Sequence, residues 1–545
     1  MTRILLILLP AVALWLAACG PAEDASPPAK IGGGSGTERA AVQVLRVGNG
    51  AEPQTLDPHR AEGVPESNIL RDLFEGLVGE APDGSLVPGA AESWAISDDG
   101  LVYTFTIRAD ARWSNGEPVT ARDFEFGLRR AVDPATLSVY SSVLFPIVNA
   151  EAIVDGELSP DQLGVRAVDD RTLEIRLNDP TPYLLGLLTH STTYPVYPPN
   201  LDEHGERFAR PGKLVSNGAY QLSDWVVQSH VRLERNPHYW DGADTQIDEV
   251  WYYAIENPDA ELKRYRADEL DITDGLPYNQ LTWVRNELGD ELEVAPWFGS
   301  YYFGFNLTKP PFKDAKDLRT ALAMAIDRDI LTGRVTGAGE IAAYGWVPPA
   351  AGYTGQQRGW ATWAQAERNA EAQRLYAQAG YSSDNPLRVE VLYNTNENHK
   401  RISVAIASMW KEVLGVETSL VNQEWKVFLD TKNRKEDTQV FRAGWIGDYD
   451  DAYSFAQLMH SKNAQNDSGY VSPVYDDLLD RAAREPDAAK RIALLEEAER
   501  VLLEDLPIIP IYFYVSKHLV KPWVGGWTPN VMDRHPKKDF YILSH

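Results

Sequence analysis

Alternating and helical hydrophobic periods take turns along most of this chain, and their order predicts its architecture. VLRVG at 44–48 reads as a strand, and ESNILRDLFEGLVG places Ile69, Leu70, Leu73, Phe74 and Leu77 on one helical face. From about residue 80 to 199 strands dominate: LVYTFTIR alternates Leu101, Tyr103, Phe105 and Ile107, and RTLEIRL repeats the pattern with Leu173, Ile175 and Leu177. SNGAYQL, VRLER and VWYYAI, between residues 216 and 255, read as further strands, and DLRTALAMAIDRDILTGRV as one helix. IALLEEAERVLLED at 492–505 has the spacing of an outer helix packed on a sheet.

Between about 367 and 445 the two periods alternate strictly. Helices ERNAEAQRLYAQAG, HKRISVAIASMWKEVLG and EWKVFLDTK are interleaved with strands LRVEVLYN, VETSLVN and TQVFRAGW, and Gly380 and Gly415 stand where left-handed caps close the first two helices. Such a βαβαβ run predicts a parallel sheet with right-handed crossovers, whose ligands bind beyond the carboxyl ends of the strands. That rule gathers Asn394 to His399, Trp425 and Arg442 to Asp450 on one edge. Arg442 can fork to a carboxylate, Trp425 and Trp445 offer flat walls, Gly444 admits close backbone approach and Asp448 supplies negative charge, a set suited to a zwitterion. The alternative is that Arg442 and Asp448 pair with each other while the tryptophans fill core.

Composition narrows the classes. The chain of 545 residues is long enough for two or three cores, and its 44% hydrophobic and 24% charged residues are ordinary for a globular protein. A formal charge of -27 argues against nucleic acid and against electrostatic docking on anionic lipid. Cys19 is the one cysteine, so no intrachain disulfide or thiolate metal site is expected. It follows Arg3, an apolar run from Ile4 to Leu16 and Ala17-Ala18, an order that resembles the bacterial lipoprotein signal, in which the cysteine is lipidated and becomes the first mature residue. A cleaved secretory signal with an incidental cysteine is the alternative. Pro21 to Ala41, rich in Pro, Gly and Ser, reads as a flexible tether that holds the body about 25 Å from its lipid. No HExxH or GxSxG occurs; His190, His230, His238, His399 and His460 are scattered without ligand spacing, and DYDD at 448–451 lacks the form of a calcium loop. The expectation is a binding protein, not an enzyme, with no cofactor and no metal. Trp94 and Trp113 could mark a carbohydrate patch, but their alternating context favours a strand pair whose tryptophans pack.

TLDPHRAEGVPESNILRDLFEGL, the stretch from Ala91 to Phe124, SNGAYQLSDWVV, LYNTNENHKR, VNQEWKVFLDT and RAGWIGDY together resemble the oligopeptide-binding lipoproteins of bacterial ABC peptide importers, within the peptide/nickel solute-binding family. The resemblance implies an α/β fold of the two-lobed periplasmic-binding-protein type (large, type II-like) with an extra β-rich domain and an inter-lobe ligand cleft that closes like a hinge. On that scheme residues 1–19 are the signal, 20–43 the tether, 44–74, 200–300 and 516–545 lobe I, 75–199 the extra domain and 301–515 lobe II.

Asp448 matches the family's partner of the peptide ammonium, and Arg442 and His399 match positions that meet its carboxylate end. Gly444, Trp445, Ile446 and Gly447 match the segment that pairs with the ligand main chain, with Ile446 in place of a cysteine common in close relatives. Trp425 and Trp445 match side-chain pocket walls, Tyr140 a contact from the small domain, and Glu62 and Val64 the hinge-side wall. In GRVTGAGE, Thr336 stands where some relatives carry a lysine for the ligand carboxylate. The implied partners are short peptides, the membrane subunits of an ABC importer and, through Cys19, the bilayer; the implied state is an extracytoplasmic monomer. Murein tripeptide, dipeptide, or a nickel or haem complex are narrower ligands of the same family. A peptidase-like enzyme or an adhesion or folding lipoprotein are readings of another class.

Overall fold

A computed structural model describes residues 38–350 and 352–545 of the protein. Cys19, the signal and most of the tether lie outside the described residues. The tether's expected end is different: at 38–43 the chain is already docked, with Ala40 N–H donating to Ile542 O at 2.8 Å and Gln43 Nε2 and Oε1 bonding both backbone groups of Ile542 at 3.0 and 2.8 Å. Two strand-like segments from the chain ends satisfy each other there, which composition could not show.

After β1 (Val44–Gly48), helix α1 (Val64–Leu73) stops sooner than its apolar spacing predicts, although Phe74 and Leu77 beyond its end are also buried. The chain then builds a four-stranded antiparallel sheet from β2 (Ala91–Ile96), β3 (Val102–Ile107), β4 (Val165–Ala167) and β5 (Thr172–Arg176), in the order β2-β3-β5-β4. Phe105, Ile107, Leu173 and Ile175 fill its inner face with Trp113, as the alternation predicts. Helix α2 (Ala121–Val132) covers it, held at its start by Thr120 N–H donating to Asp123 Oδ2 at 2.7 Å.

The chain returns to β1 through β6 (Tyr220–Val226), β7 (His230–Arg235) and β8 (Glu249–Tyr253), and β8 runs parallel to β1 from Val44↔Glu249 to Gly48↔Tyr253. This sheet is the base of one lobe.

The other lobe is built on six strands: β9 (Leu292–Phe305), β10 (Ile341–Ala342), β11 (Arg388–Asn394), β12 (Glu417–Gln423), β13 (Val440–Ile446) and β14 (Ile508–Leu519), in the order β10-β14-β9-β13-β11-β12. The βαβαβ expectation holds in its elements: β11 is parallel to both β12 and β13, and α3 (Glu397–Leu414) and α4 (Trp425–Arg434) connect them. Gly380 and Gly415 have φ of 90° and 74°, the left-handed region that favours glycine at a helix end.

The expected helix over 317–335 is broken. It runs Lys316–Met324, and a new turn starts where Asp327 accepts from Ile330 N–H at 3.0 Å; the guanidinium of Arg328 is buried between Ala343 O and Pro510 O, both at 2.8 Å, and fixes the break. Long β9 and β14 carry the chain between lobes. At their outer end Ile272 bridges β1 through Val47 and the residue after β14 through Val520, so the lobes share a narrow strip of backbone. No helix among the described residues is long and apolar enough to cross a membrane.

Candidate functional site

A cavity of about 380 Å³ lies between the lobes, within the range of small-molecule sites. Glu62, Val64, Tyr140, His399, Trp425, Arg442, Gly444, Trp445, Ile446, Gly447 and Asp448 all line it.

The strand β13 is its spine. β9 pairs with β13 along its full length, from Gly299↔Ile446 to Phe305↔Val440, whereas β11 pairs with it only at Val440 and Phe441. Past Phe441 no strand among the described residues pairs with the second edge of β13, which faces the cavity at Gly444, Trp445 and Ile446. Backbone donors and acceptors on such an edge can take up an extended chain.

One end of the spine is acidic. Asp448 is 5% exposed, its backbone N–H donates to Ser454 Oγ at 2.7 Å, and its Oδ2 has no partner among the described residues. His190 Nε2 stands 3.6 Å from its Oδ1. Burial pushes the Asp448 carboxyl up to about 7, with Arg534 and Arg71 pulling it down, and burial together with the same arginines holds His190 down at about 3. The pair is therefore no ion pair, and the carboxylate is left for a cation from the cavity. Tyr140 packs between, 4.5 Å from the His190 ring and 6.2 Å from Trp445.

The other end is basic. Arg442, 8% exposed, donates to Asn394 Oδ1 at 3.1 Å and Tyr514 Oη at 2.9 Å, lies 4.7 Å over the Tyr301 ring, and has an Nε without a partner among the described residues. It makes no bond to Asp448, so the self-paired alternative fails. His399 sits in the first turn of α3, where Asn396 Oδ1 accepts from the N–H groups of Asn398 and His399, and burial, Arg442 and Lys517 keep its ring well below the usual histidine range. A neutral imidazole, a guanidinium and a helix start make a receptive place for a carboxylate.

Trp425 opens α4, stacks on Phe428 at 5.9 Å, and its ring would stand 3.0 Å from a Cβ at Gly63, so the two lobes touch there. Glu62 accepts from Asn433 Nδ2 at 3.3 Å across the same gap, and burial raises its carboxyl. Thr336 does not reach the cavity: it is buried and donates to Glu340 Oε2 at 2.7 Å. The cation on that wall is Lys517, 3.1 Å from Glu340 Oε1.

Sequence reasoning missed Lys517, Tyr512 and Tyr514, which β14 delivers through its pairing with β9, and Arg534, whose guanidinium donates to the carbonyl oxygen of Asp448 at 2.6 Å. It also passed over His518 and His535, which were not among the five histidines read as scattered and which meet at Asp533 on the cavity wall. Only a motif joining SKH to MDRH could have signalled them, and none exists.

A family model described as bacterial extracellular solute-binding proteins, family 5 Middle, matches residues 85–467. The chain belongs to that family. It is 44% identical over 519 residues, 94% of either chain, to the periplasmic oligopeptide-binding protein OppA of Escherichia coli K12. A crystal structure of Haemophilus influenzae OppA in complex with the peptide RPPGFSPFR superposes with a TM-score of 0.90 at 39% identity, covering 93% of this chain and all of that one. The E. coli murein tripeptide-binding protein MppA gives 0.91 at 40% identity over 93% of this chain and all of that one. Its unliganded open form, over 94% of this chain and 99% of that one, gives only 0.66 at 40% identity. The mixed α/β architecture is thus the two-lobed solute-binding fold, with its lobes set as in the peptide complex.

Proposed function

We propose that this protein captures short peptides between its closing lobes and hands them to an ABC importer on the extracytoplasmic side of a membrane, performing no chemistry on them. The observation that carries the reading is Asp448: a buried carboxyl with a free oxygen, at one end of a strand edge that looks into the cavity. An ammonium there meets Asp448, the main chain pairs along Gly444 to Ile446, and the carboxylate reaches Arg442, His399 or Lys517. Reading only what peptides share gives breadth, while side chains enter the spaces bounded by Trp425, Trp445 and Tyr140.

Five residues lie between Arg442 and Asp448, six steps or about 20 Å of extended chain, which limits the ligand between the two charges to about six residues. Cys19 would hold the protein to the membrane as a monomeric lipoprotein through a tether, with residues 44–74, 200–300 and 516–545 as one lobe, 301–515 as the other and 75–199 as the extra domain.

Calorimetry with tri- to pentapeptides tests the site. Asp448→Ala is expected to lower affinity at least about 30-fold, in keeping with the roughly 2–5 kcal/mol lost when one partner of a buried charge pair is truncated. N-acetylation of the same peptides should have a like effect on the parent protein. Unchanged affinity in either arm contradicts the reading. Mass spectrometry of ligands released from purified protein separates a broad peptide reader, which carries a ladder of peptides, from a murein tripeptide carrier, which holds one.

A further inference from the structure

We propose that His518, Asp533 and His535 form a binding site for a borderline divalent cation of the Zn²⁺ type on the wall of the inter-lobe cavity. They come from two parts of the C-terminal region: His518 from β14, and Asp533 and His535 from a loop further along the chain. His518 Nε2 stands 3.1 and 3.0 Å from the two Asp533 oxygens and His535 Nε2 3.0 Å from Oδ1, and one donor atom from each residue lies within 4.8 Å of the others.

A four-coordinate zinc ion with arms of about 2.0–2.1 Å holds its ligands about 3.3 Å apart, so the donors need only small movements to close on one.

Each donor is held from behind. His518 Nδ1 donates to Thr273 O at 2.7 Å, which presents Nε2 as the ligating nitrogen, the arrangement usual for metal-bound histidine. The His535 ring stacks on Trp527 with centroids 3.9 Å apart. Asp533 sits at φ 52°, a turn that points its carboxylate between the two rings. All three line the cavity, as does Asp274, whose carboxylate interacts with His518 and adds negative charge to the wall. Three protein donors leave the ion's remaining positions toward the cavity, as in zinc sites that accept a ligand. Two imidazole nitrogens with one carboxylate favour Zn²⁺, Ni²⁺ or Cu²⁺ over the hard cations Ca²⁺ and Mg²⁺.

The competing account is a cluster that only hydrogen-bonds to itself, a carboxylate shared by two imidazoles. Calorimetry on the untagged, chelator-treated protein, titrated with Zn²⁺ and separately with Ca²⁺, distinguishes them. One Zn²⁺ per chain with micromolar or tighter affinity and no Ca²⁺ binding is expected. His535→Gln and Asp533→Asn should each weaken Zn²⁺ at least tenfold, while His230→Gln, remote from the cavity, should not. Absence of stoichiometric Zn²⁺ binding by the parent protein, equal binding of Ca²⁺, or loss of Zn²⁺ binding in His230→Gln would each overturn the proposal, whether or not the other variants fold.

Discussion

Asp448 is poised at the expense of the empty protein's stability. Its carboxyl titrates near 7 in the fold and near 3.8 in an unfolded chain, so between these values the native state holds a proton that the unfolded state has lost. Stability from this group is full below about pH 4, falls as pH rises, and above pH 7 is lower by on the order of 2–4 kcal/mol. Asp448→Asn removes the penalty. Thermal unfolding of the peptide-free variant should therefore occur at a higher temperature than the parent at pH 8, with the gap closing toward pH 4, while peptide binding is lost. A variant less stable than the parent at pH 8 would show that the ionised carboxylate stabilises the fold, the reverse of what its raised titration requires. Peptide affinity has the opposite dependence, because an ammonium needs the charged form: it should be flat above pH 7 and fall up to tenfold per unit below it, as measured by calorimetry from pH 5 to 8.

At the scale of elements, β13 works because two things coincide: β11 diverges from it after Phe441, and Gly444 keeps the opened edge bare. A Cβ at Gly444 would lie 2.5 Å from Tyr514 Oη and 3.4 Å from Arg442 Nη2, so even alanine pushes on the hydrogen bond that sets the guanidinium. Gly444→Ala should weaken peptide binding about tenfold with little change in melting temperature, since the contacts are with the flexible ends of side chains; an unaltered affinity would remove Gly444 from the site.

The βαβαβ run was legible because each of its elements has a full local period and its first two helices end at glycines, and from it the strand-end rule placed Arg442, His399, Trp425 and Asp448 on one rim from local pattern alone. β14 was not. IIPIYFYVSKHL reads locally as one more strand, and only its register against β9, Ser300↔Phe513 and Tyr301↔Tyr512, brings Tyr514 and Lys517 to the basic end. Long-range pairing of that kind leaves no mark in a local pattern. The break at Asp327 was hidden for a similar reason: it depends on Arg328 finding two carbonyl oxygens that are distant in sequence.

For the molecule as a whole, the lobes are set as in the peptide-bound Haemophilus relative and unlike the open form of the tripeptide carrier. Arg534 ties them. Its guanidinium donates to Glu80 Oε1 at 2.6 Å, to Thr189 Oγ1 at 3.1 Å and to the carbonyl oxygen of Asp448 at 2.6 Å, joining the C-terminal loop, the segment around the small sheet and the end of β13. The bond to Asp448 joins the C-terminal loop to the end of β13, both on the wall of the cavity. The Lys462–Glu151 and Arg484–Asp179 pairs join the segment around the small sheet to the other lobe at the surface, where exposure makes them weak. A ligand shifts the lobes only by its preference for the shut state, and moving from 1:99 to 99:1 takes about 5.5 kcal/mol of such preference. If Arg534 supplies part of the shut state's stability, Arg534→Met should lower peptide affinity by at least tenfold, and small-angle scattering should show the variant staying expanded at peptide concentrations that contract the parent. Contraction of the variant along the parent's own titration curve would mean that closure is driven by the peptide's contacts alone, with Arg534 merely filling the space behind the strand.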